Sequence, residues 1–468
     1  LPEGEGFRVR AVCRQTLAFP HKGWLIVTHA STSQTIPLVK GIPVLGNTLQ
    51  VTKDAIGFMT RAYHEYGAVY RLRVPGREIT VLAGHEANQL MMNLGDEYLK
   101  LRPIYGTLVE ETNSDLYLPT LDEPEYSYYR RMIKPRLSRD TLAGYLPQAV
   151  QLIDETVAAW DGSIRVQAEM TRLCIEIISR SAENTEVGAE LGNIILFTNR
   201  LIGSGVAFQP AFLLKLPDYQ RAKQRFEAFL QRIVYQHRAQ AQPRGDLVDL
   251  LLESKTTDGR PLQGHDLLAY VHLPFVNGVA YAPRLCGYLL YELLRQPELF
   301  AKIRAEVDAV FAEGNLTMGS LRKMRWLYGA CMEVLRMYPI AGALPRYVAK
   351  TFDFAGHTLH AGQLIFVATG VTHFLPEVYR DPYVFDPERF FEPRSEHQQP
   401  GAFAPYGLGS RTCLSAGMGE ALIMLIIARL LHTVDLALPS ADYQLKTFVA
   451  PIPGPSQRFE VTVKPRTA

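Results

Sequence analysis

Phe403-Ala-Pro-Tyr-Gly-Leu-Gly-Ser-Arg-Thr-Cys413-Leu-Ser415 decides how the rest of the chain is read. Gly407 and Gly409 let a backbone double back without a Cβ clash, and Pro405 fixes φ just ahead of them. An apolar run from Ala421 to Leu431 follows. The pattern predicts a cysteine held on a tight loop where a buried helix begins. Free N–H groups and partial positive charge at a helix N-terminus stabilise a thiolate, and Arg411 adds a nearby cation. A thiolate with donors aimed at its sulfur suits an axial ligand of iron. A structural cysteine in a turn is the simpler alternative, but it leaves the spacing of Gly, Gly, Arg and Cys unexplained.

The loop resembles the haem-binding loop of the cytochrome P450 family, Phe-x-x-Gly-x-Arg-x-Cys-x-Gly. Tyr406 stands at the Phe, Gly409, Arg411 and Cys413 match, and Ser415 stands at the last Gly. Tyr keeps the ring, and Ser is a good N-cap. Upstream, Glu333-Val-Leu-Arg336 and Pro387-Glu-Arg-Phe390 resemble the family's E-x-x-R and PERF motifs. An E-x-x-R puts both charges on one helical face, although alone it is a weak signal. The resemblance implies a three-way ion pair of Glu333, Arg336 and Arg389 behind the loop, fixing geometry more than adding stability. It further implies haem b (iron protoporphyrin IX), with iron bound by Cys413. Tyr126, Arg130 and Arg346 match residues that hold the haem propionates, and Tyr406 and Arg411 complete the cofactor-binding set. Arg131, Arg136 and Arg139 would contribute to a basic face near the haem.

Residues 265–294 read as one long helix over the haem, kinked or locally unwound by Pro274 and Pro283, which each lack an N–H. Most family members carry an acid–alcohol pair here that relays protons during oxygen activation. Here the stretch reads Val276-Asn277-Gly278-Val279-Ala280-Tyr281, with Ala280 at the acid and Tyr281 at the alcohol. Asn277, Gly278, Ala280 and Tyr281 are the candidate catalytic residues. Asn-bearing helices without the Thr resemble P450s that rearrange hydroperoxides or endoperoxides. Asn277 could hydrogen-bond a peroxide oxygen, or satisfy a carbonyl freed by the kink. His272 and His373 read as structural.

The remaining features bound the answer. The chain has 468 residues, 47% of them apolar, and a net charge of +2, so nothing marks a nucleic-acid partner. Five scattered cysteines, without a CxxC, argue against disulfides or zinc and favour a reducing, cytoplasmic setting. No membrane span is expected, because the apolar run after Cys413 is short and broken by Arg429. Short strands are predicted in Phe7–Val12 and Trp24–Val27, a helix over 54–66, and a hairpin about Pro75-Gly76. Phe197, Phe208, Phe212 and Leu213 could line an apolar cavity or pack the core. A strand-rich end, 436–464, corresponds to a hairpin that tips into the family's substrate pocket.

The resemblance therefore implies a mainly α fold with a smaller β-rich part, the cytochrome P450 fold. One haem domain would span 36–468, with 1–35 an unassigned N-terminal extension. The expected function is monooxygenation of an apolar small molecule such as a lipid or terpenoid. No GxGxxG or fused redox segment occurs, so electrons would come from a separate electron-transfer protein, a ferredoxin or flavoprotein docking on the basic face. Two alternatives stay open: a hydroperoxide- or endoperoxide-rearranging enzyme or peroxygenase, and a catalytically silent haem protein.

Overall fold

Asp54 starts the first long helix, Ala55–Tyr66, by accepting a hydrogen bond from the Gly57 N–H at 2.9 Å. Gly67, with φ of +88°, ends it. The chain then turns back through Pro75-Gly76, pairing Val69–Val74 with Arg77–Ala83 in antiparallel register. Pro fixes the first turn position, and Gly76, at φ +78°, supplies the left-handed second one. Both elements match the pattern read from sequence. This is a computed structural model describing residues 35–466, apart from 315, 449 and 451 and the side chain of Asn277. The strands expected in Phe7–Val12 and Trp24–Val27 lie outside the described residues.

Leu364–Ala368, Leu344–Val348 and Leu99–Lys100 extend this hairpin into a five-stranded sheet. Only the junction of Arg77–Ala83 with Leu364–Ala368 is parallel. The rest of the chain is mainly helical, so the fold is mainly α with a smaller β-rich part. Its largest apolar cluster joins Val166–Glu183, Ala282–Leu294, Arg325–Met337 and Ala416–Thr433.

Ala416–Thr433, the helix after Cys413, is longer than its sequence suggested. It runs 18 residues, long and apolar enough by composition to cross a membrane, yet 61% of it is buried inside the fold. Arg429 is accommodated within it by a two-pronged pair with Asp154 at 2.5 and 2.9 Å.

The stretch read as one helix over 265–294 consists of Gly264–Val271, Leu273–Ala280 and Ala282–Leu294. The interruptions fall at His272 and Tyr281, each two residues before a proline. Pro283 has no N–H to offer the Val279 carbonyl four residues back. The Arg284 guanidinium takes that place, donating from Nη1 to the carbonyls of Val279 at 2.8 Å and Ala280 at 2.6 Å.

Candidate active site

Cys413 sits where the sequence puts it, on a loop entering Ala416–Thr433. Gly407 and Gly409 both adopt positive φ, +75° and +71°. A Cβ on Gly409 would come within 3.0 Å of the Met92 carbonyl, so the loop needs glycine there. The Cys413 N–H donates to the Tyr406 carbonyl at 2.8 Å, which closes the loop. Ser415 occupies the N-cap position, but its side chain does not cap the helix. Its hydroxyl lies 3.8 Å from Cys413 Sγ instead.

Behind the loop, Glu333 receives Arg336 through two bonds of 2.7 Å and Arg389 through one of 2.9 Å. All three side chains are fully buried. The remaining guanidinium donors go to the carbonyls of His373, Arg380, Asp381 and Val384 and to Glu396. Full satisfaction of this kind is what lets a buried charge cluster persist. His373 ties the cluster to the cysteine loop. Its Nδ1 bonds the Arg336 carbonyl at 2.9 Å, and its Nε2 accepts the Ala404 N–H at 2.9 Å. That pair of contacts requires the neutral ring, and burial depresses its pKa to about 3.

Above the loop lies a cavity of about 930 Å³, lined by Cys413 and its neighbours and by Tyr126, Arg130, Arg346, Arg411 and Tyr281. One edge is cationic. Arg130 Nη1 donates to the Tyr126 hydroxyl at 2.9 Å, and Arg411 lies over the Tyr126 ring at 4.2 Å while pairing with Asp122 at 3.2 Å. Arg346 is 6% exposed and donates to the Pro345 carbonyl at 2.8 Å. It makes no ion pair among the described residues, and burial pulls its pKa down to about 10. A buried guanidinium lacking a carboxylate beside a large cavity fits a ligand that brings acidic groups. Haem propionates are such groups, so the residues present fit haem.

The roof departs from the reading of the sequence. Of the residues proposed as catalytic, Tyr281 lines the cavity. Gly278 does not: a Cβ there would meet the Ile175 backbone at 2.9 Å, so this glycine serves close packing of two helices. Ala280 packs against Ile202 and Ile452 rather than opening onto the cavity. The Asn277 side chain lies outside the described residues, and the carbonyls freed by Pro283 are taken by Arg284. Burial pushes the Tyr281 pKa up to about 12, with Tyr105 and Cys413 adding to the effect and Arg284 opposing it. Among the described residues, no Asp or Glu lines the cavity.

Phe208 is the member of the predicted aromatic set that reaches the cavity. Phe197 packs against Phe226 and His272, and Phe212 is 61% exposed. The C-terminal hairpin, Thr447–Phe448 with Gly454–Pro455, brings Ile452 and Pro453 to the cavity wall. Sequence reading missed Arg284. Its signal was a lone cation directly after a proline in an otherwise apolar run.

A mainly helical fold with a cysteine loop beneath a large cavity edged by cations fits an oxidoreductase built around a haem. The chain belongs to the cytochrome P450 family, whose profile matches residues 36–461. It is 26% identical over 444 residues to a putative cytochrome P450 136 of Mycobacterium tuberculosis, covering 91% of this chain and 88% of that protein. It is 23% identical to cyclooctat-9-en-7-ol 5-monooxygenase of Streptomyces melanosporofaciens, over 83% of this chain and 86% of the other. A retinoic-acid-bound cyanobacterial P450, CYP120A1, superposes with a TM-score of 0.80 at 22% identity, covering 93% of this chain and all of that one.

Proposed function

We propose that this P450 binds haem b through Cys413 and monooxygenates an apolar small molecule of terpenoid or lipid type. The observation that carries the reading is the cavity itself: a cysteine sulfur at its base, cations at one edge, apolar walls elsewhere. In this reading Arg130, Arg346 and Arg411 hold the propionates, with Tyr126 orienting Arg130 through its hydroxyl. Bound haem would supply the oxidising chemistry, and the thiolate would push electron density toward iron. The protein's own share is to exclude water, orient the substrate and deliver protons. The Streptomyces relative is named as a monooxygenase of the alcohol cyclooctat-9-en-7-ol, and this favours a largely hydrocarbon substrate.

Electrons would come from a separate ferredoxin or flavoprotein in a cytoplasmic setting. Arg131 and Arg136 are exposed and suit an acidic partner. One observation favours a second reading. With no Asp or Glu on the cavity lining among the described residues and Tyr281 at the alcohol position, an oxygen donor that arrives as a hydroperoxide would relieve the need for proton relay.

The deciding experiment compares turnover of a terpenoid and lipid panel under two conditions. A surrogate reductase with NADPH should support product formation, whereas hydroperoxide alone should not. The reverse result would make the protein a peroxide-using P450. Product under neither condition, despite haem uptake, would favour a silent haem protein. Cys413→Ser should abolish the thiolate-type absorption of the CO-bound reduced protein. Retention of that absorption would remove Cys413 as the ligand.

A further inference from the structure

Arg284 is 4% exposed and forms no ion pair among the described residues. Leaving a guanidinium buried without a carboxylate is costly, so its surroundings should show what it does. Its Nη1 donates to the carbonyls of Val279 and Ala280, the last turn of Leu273–Ala280. That is the negative end of a helix dipole, where a cation is favoured. Nη2 faces Asn199 Oδ1 at 3.5 Å, and Nε has no protein partner. The stem lies beneath Gly454, where a Cβ would approach Cδ, Cγ and Nε to 3.0 Å, so the C-terminal hairpin seats on it.

Tyr281 is the residue on the other side of this contact. It stands alone between two helices, at φ −116° and ψ −62°, and it lines the cavity that Cys413 also lines. If Leu273–Ala280 ran on unbroken, the 3.6-residue period would set the direction of this side chain. The break sets it instead, and Arg284 holds the carbonyls that the break exposes. We propose that Arg284 is a positioning residue: it brackets the break in the roof helix and so aims the Tyr281 phenol at the ligand site over Cys413. This rests on the haem reading above. Tyr281 is then the hydrogen-bond donor that the roof offers in place of the acid–alcohol pair. Arg284 acts only through it, because Arg284 itself does not line the cavity.

The test has two arms. In haem-free protein, Arg284→Met should speed amide exchange across Val279–Leu285 by about tenfold or more, with distant helices unchanged. Arg284→Lys, which keeps a donor and a charge, should recover part of the protection. In haem-loaded protein, the C–O stretch of bound carbon monoxide reads a donor near the ligand. Tyr281→Phe should raise that frequency, Arg284→Met should raise it similarly, and the double variant should add little. An unchanged exchange profile in haem-free Arg284→Met overturns the bracket whether or not the haem reading stands. A frequency that moves with Tyr281→Phe but not with either Arg284 variant overturns the positioning role. A frequency that ignores Tyr281→Phe removes the phenol as donor. If Arg284→Met does not fold, Arg284→Lys carries the same comparisons, with a smaller shift expected.

Discussion

Arg346 shows how one side chain can be a burden in one state and an asset in another. Its guanidinium is almost fully buried, and its pKa falls to about 10 because burial penalises the charge. Without a carboxylate, replacing it by a flexible apolar chain should relieve that penalty. With haem bound, the same cation would make charge-assisted bonds worth about 1.5–3 kcal/mol. Arg346→Met is therefore expected to leave the haem-free protein as stable as the parent or more so, and to weaken haem retention by roughly 10- to 100-fold. Thermal melts of the haem-free protein and haem transfer to an apo-globin acceptor measure the two sides. Equal loss in both states would show that Arg346 serves the fold rather than the ligand.

At the scale of elements, the junction of Arg325–Met337 with the 3₁₀ turn Pro387–Phe390 depends on Glu333. This carboxylate takes both arginines and also accepts the Asp386 N–H at 3.0 Å. Glu333→Gln would leave two fully buried guanidiniums facing a neutral amide. Breaking such a cluster from one side costs about 3–5 kcal/mol, more than swapping all members for apolar groups. Urea denaturation of the haem-free protein should show that loss, and a loss below about 1 kcal/mol would mean the cluster is not held by charge. This junction and the cysteine loop were legible in the sequence because each depends on a few residue types at fixed spacing. The roof was legible only in part. Pro274 and Pro283 announced the breaks, since a missing N–H is a local property. What fills the gap is not local. Arg284 reaches back over the break, while the openness of Gly278 depends on Ile175, a hundred residues earlier in the chain. The direction of a side chain toward a cavity or a neighbouring helix is set by packing that no periodicity records.

Taken whole, the molecule exposes Arg131 and Arg136, proposed above to meet an electron donor, and holds two buried neutral histidines, His272 and His373. The first feature predicts partner behaviour. Reversing Arg131 and Arg136 to Glu should raise the KM for an acidic electron donor and flatten its salt dependence, leaving haem content and substrate affinity unchanged. Unaltered donor kinetics in stopped flow would place the docking face elsewhere. The second feature predicts acid sensitivity. His272 is 2% exposed, lies flat against the Tyr117 ring at 5.8 Å and is flanked edge-on by Phe197 and Phe226. Burial lowers its pKa from 6.5 to about 3. A group depressed in the folded state keeps its full stability above the unfolded pKa, here about 6.5. Below that, the unfolded chain takes up a proton that the fold refuses, and stability falls until the pH reaches about 3. The slope is about 1.4 kcal/mol per pH unit, so at pH 5 this one ring should cost about 2 kcal/mol. Many carboxylates titrate across the same range, so the total acid profile cannot isolate it. The difference between the parent and His272→Phe can. A phenyl ring suits the aromatic surroundings and removes an Nε2 that is buried without a protein partner. The variant should gain about 2 kcal/mol on the parent between pH 7 and pH 5 in urea titrations of the haem-free protein. A gap that does not change with pH would mean that the His272 ring takes up its proton in the fold as readily as in the unfolded chain.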